Sequence, residues 1–253
     1  ALNKTNHLTG NFSESFAKLN TVFLQLIVMV MSFAPLGVFC LIGKFVIADG
    51  LDIFQDVLAY VVLLISLLFF HALFTYSIFL KFIGGLNPLT FFKKMKNVAL
   101  FAFSTSSSAA TIPVTLKTVN QDLGVNQNVA SFVVPVGATI NMDGTAIMQG
   151  LATVFIAQMS GIDLTLFQYI QVVLLAVATS IGTAAVPSAG TITLIIILQQ
   201  FNLPLEAIGI ILAVDRVLDM IRTSVNVTGD AAIACIVAKS ENQLDENIFN
   251  SKA

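Results

Sequence analysis

The sequence predicts an all-α integral membrane protein in which transmembrane helices alternate with two re-entrant helical hairpins, arranged as an inverted repeat. Three observations carry this. Of 253 residues, 57% are hydrophobic and only 10% charged, with a mean hydropathy of +0.91. A soluble domain of this size is nearer half apolar and a quarter charged, and a lipid-facing surface is one that cannot carry charge. The apolar runs have helical length, and no ladder of roughly ten-residue alternating segments of the barrel type appears. Finally, a short, proline-interrupted apolar segment followed by a longer apolar span occurs twice.

Taken in order, residues 1–20 are a polar segment leading directly into an apolar span. The chain opens Ala-Leu-Asn, with no Met and no signal-peptide pattern, so an N-terminal portion with earlier spans is expected to be missing. Residues 21–47 form the first apolar span, interrupted by Pro35 and Gly37, which membrane helices tolerate. The loop 48–56 carries three Asp and no base. Residues 57–80 are the second span.

A basic stretch follows, with Lys81, Lys93, Lys94 and Lys96. Basic loops lie on the cytoplasmic side, which places this loop inside and the acidic loop outside. Lys44 falls on the wrong side of that scheme but can snorkel at a helix end. Residues 91–122 read as a hairpin. Within it, apolar stretches flank a core of Ser, Thr and Ala closed by Pro113, and each half is too short to cross a bilayer. Residues 126–159 read as a full span with polar Asn-Met-Asp-Gly-Thr (141–145) in its middle. Residues 165–200 repeat the hairpin pattern, ending its small-residue core at Pro187, and by count of crossings enter from the opposite face. Residues 205–238 are the last span, and 240–253 are a cytoplasmic tail.

The segments 104–114 and 179–189 are the matching hairpin tips. Paired short segments interrupted by Gly or Pro point to a transporter binding site. Non-helical backbone at membrane depth has unpaired N–H and C=O groups, tolerable only against protein, ions or a wet cavity. Such groups can hold anions and cations.

The last span carries the chemistry. The chain's only two arginines, Arg216 and Arg222, lie there, and no Lys or Arg occurs between Lys117 and Arg216. Asp219, Arg222, Thr223, Asn226 and Asp230 recur at +3, +4, +7 and +11, one helix face about 16 Å long. A charged side chain at the bilayer centre costs about 3 kcal/mol on insertion scales. A self-satisfied Asp219–Arg222 pair at i, i+3 would account for two of these charges but leaves Asp230, Asn226 and Asp143 without purpose. A ligand site accounts for all of them. Arg222 offers a planar fork for a carboxylate and Asp219 a counter-charge for an ammonium. Asp143 and Asp230, with Asn141 and backbone carbonyls, suit a small hard cation. A hydrogen-bonded kink at Gly144, or a protonated deep Asp, are the alternatives there. His71 reads as a neutral core histidine in preference to a proton relay. Asp215 and Arg216 could pair with one another or with a hairpin.

Other classes fit less well. The net charge of −2 and the lack of a basic stripe exclude a nucleic-acid partner. Cys40 and Cys235 are too few for a metal cage and read as small hydrophobes. Polar re-entrant loops also build channel filters, but a lone Arg222 facing a lone Asp219 suits a zwitterion better. An enzyme, in the form of an intramembrane hydrolase using Ser106, Ser107 or Ser108, lacks a base nearby. No organic cofactor is called for.

The segments Asn141–Thr145, "SSSAATIPV" (106–114), "SIGTAAVPSAGT" (180–191) and "DRVLDMIRTSVNVTGD" (215–230) resemble the dicarboxylate/amino acid:cation symporters, a family that includes the glutamate/aspartate transporters. An archaeal member is an established example of inverted repeats. The motifs cover residues 99–239 densely and in the family's order. The resemblance implies an elevator-type secondary transporter, a homotrimer in the cell membrane, that couples an acidic amino acid to Na⁺, with H⁺ the alternative. Residues 21–47 would belong to the trimer scaffold and 57–239 to most of the moving transport domain, with four earlier spans absent. By motif match, Arg222 would hold the substrate's side-chain carboxylate and Asp219 its amino group. Thr223, Asn226 and Thr145 would complete the pocket, with Ser107, Ser108, Val186 and Gly190 closing over it. Asp230 with Gly137, Asn141 and Asn226 would form one sodium site. Thr139 with Ser180, Ile181 and Thr183 would form a second, and Asp143 with Asn141 and Thr145 a third. Members that carry C4-dicarboxylates lack the acid matching Asp219, and carriers of neutral amino acids lack the arginine matching Arg222. Having both favours an acidic substrate. Some prokaryotic members have an arginine where this chain has Ser106.

Overall fold

Every regular element among the described residues is helical. The computed structural model describes residues 53–251 continuously and only scattered positions between 15 and 47. The expected N-terminal segment 1–20 and scaffold span 21–47 therefore lie largely outside the described residues. The chain divides into two units, Ala1–Gly50 and Leu51–Ala253, and the continuous run of helices belongs to the second.

Helix α1, Ile53–Ile83, is 31 residues long and apolar enough to cross a membrane. It begins earlier than the acidic loop 48–56 suggested, because Asp56 sits in its first turn, where a carboxylate is stabilised by the positive end of the helix dipole. Two stretches are π-helical, His71–Thr75 and Phe79–Ile83. Residues five apart diverge in a regular helix; the π turn brings His71 and Tyr76 together, edge to face with ring centroids 4.9 Å apart.

Helices α2 (Pro88–Thr105) and α3 (Ser108–Gln121) form hairpin 1. Asn87 caps α2 by accepting from the Leu89 N–H, and Pro88 follows, where its missing N–H costs nothing. The turn is Ser106–Ser107, with Ser106 in the left-handed region at φ 52°. Pro113 does not close the tip as the sequence suggested. Helix α3 starts before it and runs through it, because the Ser107 side chain caps the helix at Ala110.

Helices α4 (Gln127–Ile140) and α5 (Asp143–Met159) occupy the expected span 126–159. It is not one helix. The backbone breaks at Asn141 and Met142, whose ψ angles of 69° and 56° leave the helical region, and Gly144, where the alternative reading put a kink, is helical. Helices α6 (Leu166–Ile181) and α7 (Ala189–Gln200) form hairpin 2, joined by residues 182–188. A capping box between Thr165 and Gln168 starts α6. A short 3₁₀ turn, Leu205–Ala207, leads into α8, Ile208–Ser240. The last segment is part of the fold: α9 (Glu246–Asn250) contacts α2.

Helix α8 is the post of this unit and packs against α1, α2, α3, α4, α5 and α7. Among its buried positions, which include Ile211, Leu218, Val227 and Ala231, are the polar Asp215, Asp219, Arg222, Asn226 and Asp230. On the outside, Phe82, Phe132, Leu166, Phe167 and Leu174 are exposed. Each such side chain left in water forgoes about 1.5–3 kcal/mol. The pattern suits a hydrocarbon surround.

Candidate functional site

The charged face of α8 is a connected set. Arg222, only 2% exposed, sits beside two acids. Its Nη2 donates to Asp219 Oδ1 at 2.5 Å and its Nη1 to Asp215 Oδ1 at 3.4 Å. Asp215 thus does not pair with Arg216, which is exposed. Neighbours in sequence do not face one another on a helix, whereas residues seven apart share a side. The second oxygen of Asp219 accepts the Ser188 N–H at 2.9 Å, which ties α8 to the tip of hairpin 2. The second oxygen of Asp215 and the hydroxyls of Tyr60, Ser106 and Thr191 are buried without a partner.

Beside this set lies a cleft of about 260 Å³ of empty space, counting what opens to solvent. Hairpin 1 contributes Ser106 and Ser108, and hairpin 2 contributes Thr183, Ala184, Ala185, Val186 and Gly190. The break between α4 and α5 contributes Met142 and Thr145; α8 contributes Asp219, Arg222, Thr223 and Asn226. Of the residues expected around a substrate, all but Ser107 line it. Ser107 is otherwise engaged. Its hydroxyl donates to the Ala185 carbonyl at 2.8 Å, and the Ala109 N–H reaches the same carbonyl at 3.3 Å. The two tips therefore touch. Gly190 is needed for space, since a Cβ there would lie 2.8 Å from Thr145 Cγ2 and 3.6 Å from Arg222 Cζ.

Asn226 holds the far side. Its Oδ1 accepts the Gly144 N–H at 2.8 Å and its Nδ2 approaches Thr145 Oγ1 at 3.4 Å, so the start of α5 is stapled to α8. One helical turn on, Asp230 is buried and accepts from Asn141 Nδ2 at 2.9 Å. It has no cationic partner among the described residues. Gly137 packs directly on it, since a Cβ there would lie 2.6 Å from Asp230 Oδ1. Asp230, Asn141 and Gly137 are thus brought together as expected. Oxygen donors around an unpaired buried carboxylate suit a hard cation.

Asp143 has neighbours that the sequence did not show. His71 Nε2 lies 3.1 Å from its Oδ2, and the Tyr76 hydroxyl lies 3.2 Å from the same oxygen and 3.2 Å from the Val225 carbonyl. His71 is therefore no isolated core histidine. Thr139, Ser180 and Thr183 each donate a hydroxyl within their own helix or its end, to Val136, Val177 and Thr179 respectively. Among the described residues no hydrogen bond joins Thr139 to Ser180, Ile181 or Thr183, and Ile181 is exposed.

The sequence reading missed the contact of Asp215 with Arg222 and the role of Ser188. Asp215 had a signal, its spacing of seven from Arg222. Ser188 acts through its backbone N–H, which no side-chain pattern reports.

The model of the Sodium:dicarboxylate symporter family matches residues 1–240. The chain belongs to that family. Named relatives include an excitatory amino acid transporter of Caenorhabditis elegans, 42% identical over 224 residues, which are 88% of this chain and 44% of that protein. Excitatory amino acid transporter 2 of Mus musculus is 41% identical over 235 residues, 92% of this chain and 41% of its own length. Excitatory amino acid transporter 1 of Bos taurus is 41% identical over 226 residues, 88% and 42% respectively. The chain thus spans less than half the length of these relatives. Its matched region includes both hairpins and all of α8, so the polar face of α8 lies inside the symporter family's own extent.

Proposed function

We propose that this chain is the substrate-binding part of a membrane secondary transporter that carries an acidic amino acid, glutamate or aspartate, together with Na⁺. The observation that carries the reading is the pairing of Arg222 with Asp219 at the wall of a cleft closed by two hairpin tips. A zwitterion with a side-chain carboxylate would replace that pair, its ammonium on Asp219 and its carboxylate on the Arg222 fork. Thr145, Thr223, Asn226 and Ser108 would supply the remaining polar contacts.

Charge explains why such a ligand needs cations. Arg222 with Asp215 and Asp219 sums to −1, and an acidic amino acid brings a further −1. Uncompensated charge in a low-dielectric site is expensive. Cations at Asp230, with Asn141 and Gly137, and at Asp143 would restore the balance as the substrate enters. The family's description as sodium:dicarboxylate symporters and the relatives' names as excitatory amino acid transporters support the ion and the substrate. Thr139 with Ser180, Ile181 and Thr183 would form a further ion site through backbone oxygens. In this reading the hairpins are re-entrant, residues 57–239 move as a transport domain, residues 21–47 serve a homotrimeric scaffold, and the cycle is an elevator. A proton-coupled cycle is the second reading, favoured by the His71–Asp143 contact.

Uptake by the full-length protein in proteoliposomes, with and without a sodium gradient, tests the reading. Saturable glutamate or aspartate uptake that collapses without sodium is expected, and Arg222→Cys should abolish it. Uptake of acidic substrate by Arg222→Cys at wild-type affinity would remove the assignment. Uptake driven equally by a proton gradient alone would favour the second reading.

A further inference from the structure

Lys94, on the first arm of hairpin 1, is only 8% exposed. Its ammonium has three donors and three acceptors: the Asp122 carbonyl at 2.8 Å, the Ile248 carbonyl at 2.7 Å and Ser251 Oγ at 3.1 Å. These acceptors come from the end of the second arm and from the C-terminal turn. One side chain therefore joins three separate pieces of chain, and the cation is satisfied by two carbonyls and a hydroxyl of the protein.

The backbone repeats the connection. The Asn126 N–H donates to the Gln243 carbonyl at 2.9 Å, and the Asp245 N–H donates to the Gly124 carbonyl at 2.8 Å. Gly124 lies at φ +73°, and a Cβ there would stand 2.4 Å from the Asp245 carbonyl oxygen. Only glycine permits both the angle and the approach. Phe249 is fully buried, and Lys239 forms an ion pair with Glu246 at the surface. Among the described residues, hairpin 2 shows no counterpart: the bonds at the base of its arms, the capping box of Thr165 with Gln168 and the Leu203 N–H to the Leu198 carbonyl, are each local to one arm.

We infer that the C-terminal turn, residues 242–251, is a clasp that locks the base of hairpin 1 shut through Lys94. A buried ammonium whose acceptors leave must be rehydrated, and rehydration needs the arms to part. Loss of the turn therefore opens residues 119–126 as well as the turn itself. This holds whether or not the ligand is an acidic amino acid.

Hydrogen–deuterium exchange on the full-length protein tests it. Phe249→Asp ejects the turn while leaving both arms of hairpin 1 unchanged, and Lys94→Met removes the ammonium. Each is expected to speed exchange of residues 119–126 and 243–251 at least tenfold, with protection of α5 and the centre of α8 retained as the control for folding. Should either variant fail to fold, the other decides, and Gly124→Ala, which strikes the same joint from the loop side, is expected to give the same pattern. Exchange that rises in residues 243–251 while residues 119–126 stay at the wild-type rate would overturn the inference, because the turn would then be a passenger.

Discussion

Hairpin 1 turns in two residues, 106–107, and hairpin 2 in seven, 182–188. Both begin from apolar arms around a small-residue core, and both place a serine in the left-handed region at the tip, Ser106 and Ser188. What differs is where each is held. Hairpin 1 is fastened at its base by Lys94 and at its tip to Ala185. Hairpin 2 is fastened near its tip instead. Gln149 of α5 donates to the Gly190 carbonyl at 3.0 Å and to Thr193 Oγ1 at 2.7 Å, and accepts from the Thr179 hydroxyl at 2.8 Å. One buried amide thus binds both arms of hairpin 2. Two hairpins of similar pattern are thus fastened at different places, and the difference lies in partners distant along the chain.

The largest expected effect comes from disturbing hairpin 2 where it meets the arginine. Gly190→Val should weaken binding of an acidic amino acid at least about 100-fold, roughly 2.7 kcal/mol, because the new side chain presses on Thr145 and Arg222. Titration calorimetry reads this, and an unchanged affinity would separate hairpin 2 from the site. Next, Gln149→Leu takes one partner each from the Gly190 carbonyl and the Thr179 and Thr193 hydroxyls, which keep bonds to the Thr193 hydroxyl, the Leu175 carbonyl and the Thr183 hydroxyl respectively. The loss of stability should be about 1–2 kcal/mol, with faster hydrogen exchange in α6 and α7 and none of that change in hairpin 1. Equal loosening of both hairpins would erase the contrast.

Ser107→Ala removes the bond between the tips and the cap of α3 together, for about 1–2 kcal/mol. A loss of stability with exchange of the Ala109 N–H, which donates to the Ala185 carbonyl, unaffected would show that the tips are not coupled. The smallest effect is Ser106→Gly. It relieves a left-handed serine and a hydroxyl without a partner, so a gain of about 0.5 kcal/mol is expected. A marked loss of substrate affinity in that variant would assign the hydroxyl a contact in the cleft.

These partners mark how far the sequence could be read. Periodicity gave the hairpin arms to within a few residues and put Asp219, Arg222, Asn226 and Asp230 on one face, because both depend only on local helix geometry. The break at Asn141 was visible as a polar interruption but not as a change of backbone direction. Asp215 was within reach by its spacing from Arg222, but adjacency to Arg216 suggests the wrong neighbour. The contacts of Lys94, Gln149, His71 and Ser188 were not legible. Their acceptors lie between 28 and 157 residues away, and several are backbone groups that every residue carries.

In the proposed function Asp219 and Arg222 divide the two ends of one amino acid between them. Asp219→Asn in the full-length protein, titrated in sodium with aspartate and with succinate, which has both carboxylates but no ammonium, tests this most directly. Aspartate affinity is expected to fall at least about 30-fold, near 2 kcal/mol, while succinate binds as well as before or better. Equal weakening of both ligands would contradict it, because Asp219 would then only be holding Arg222 in place.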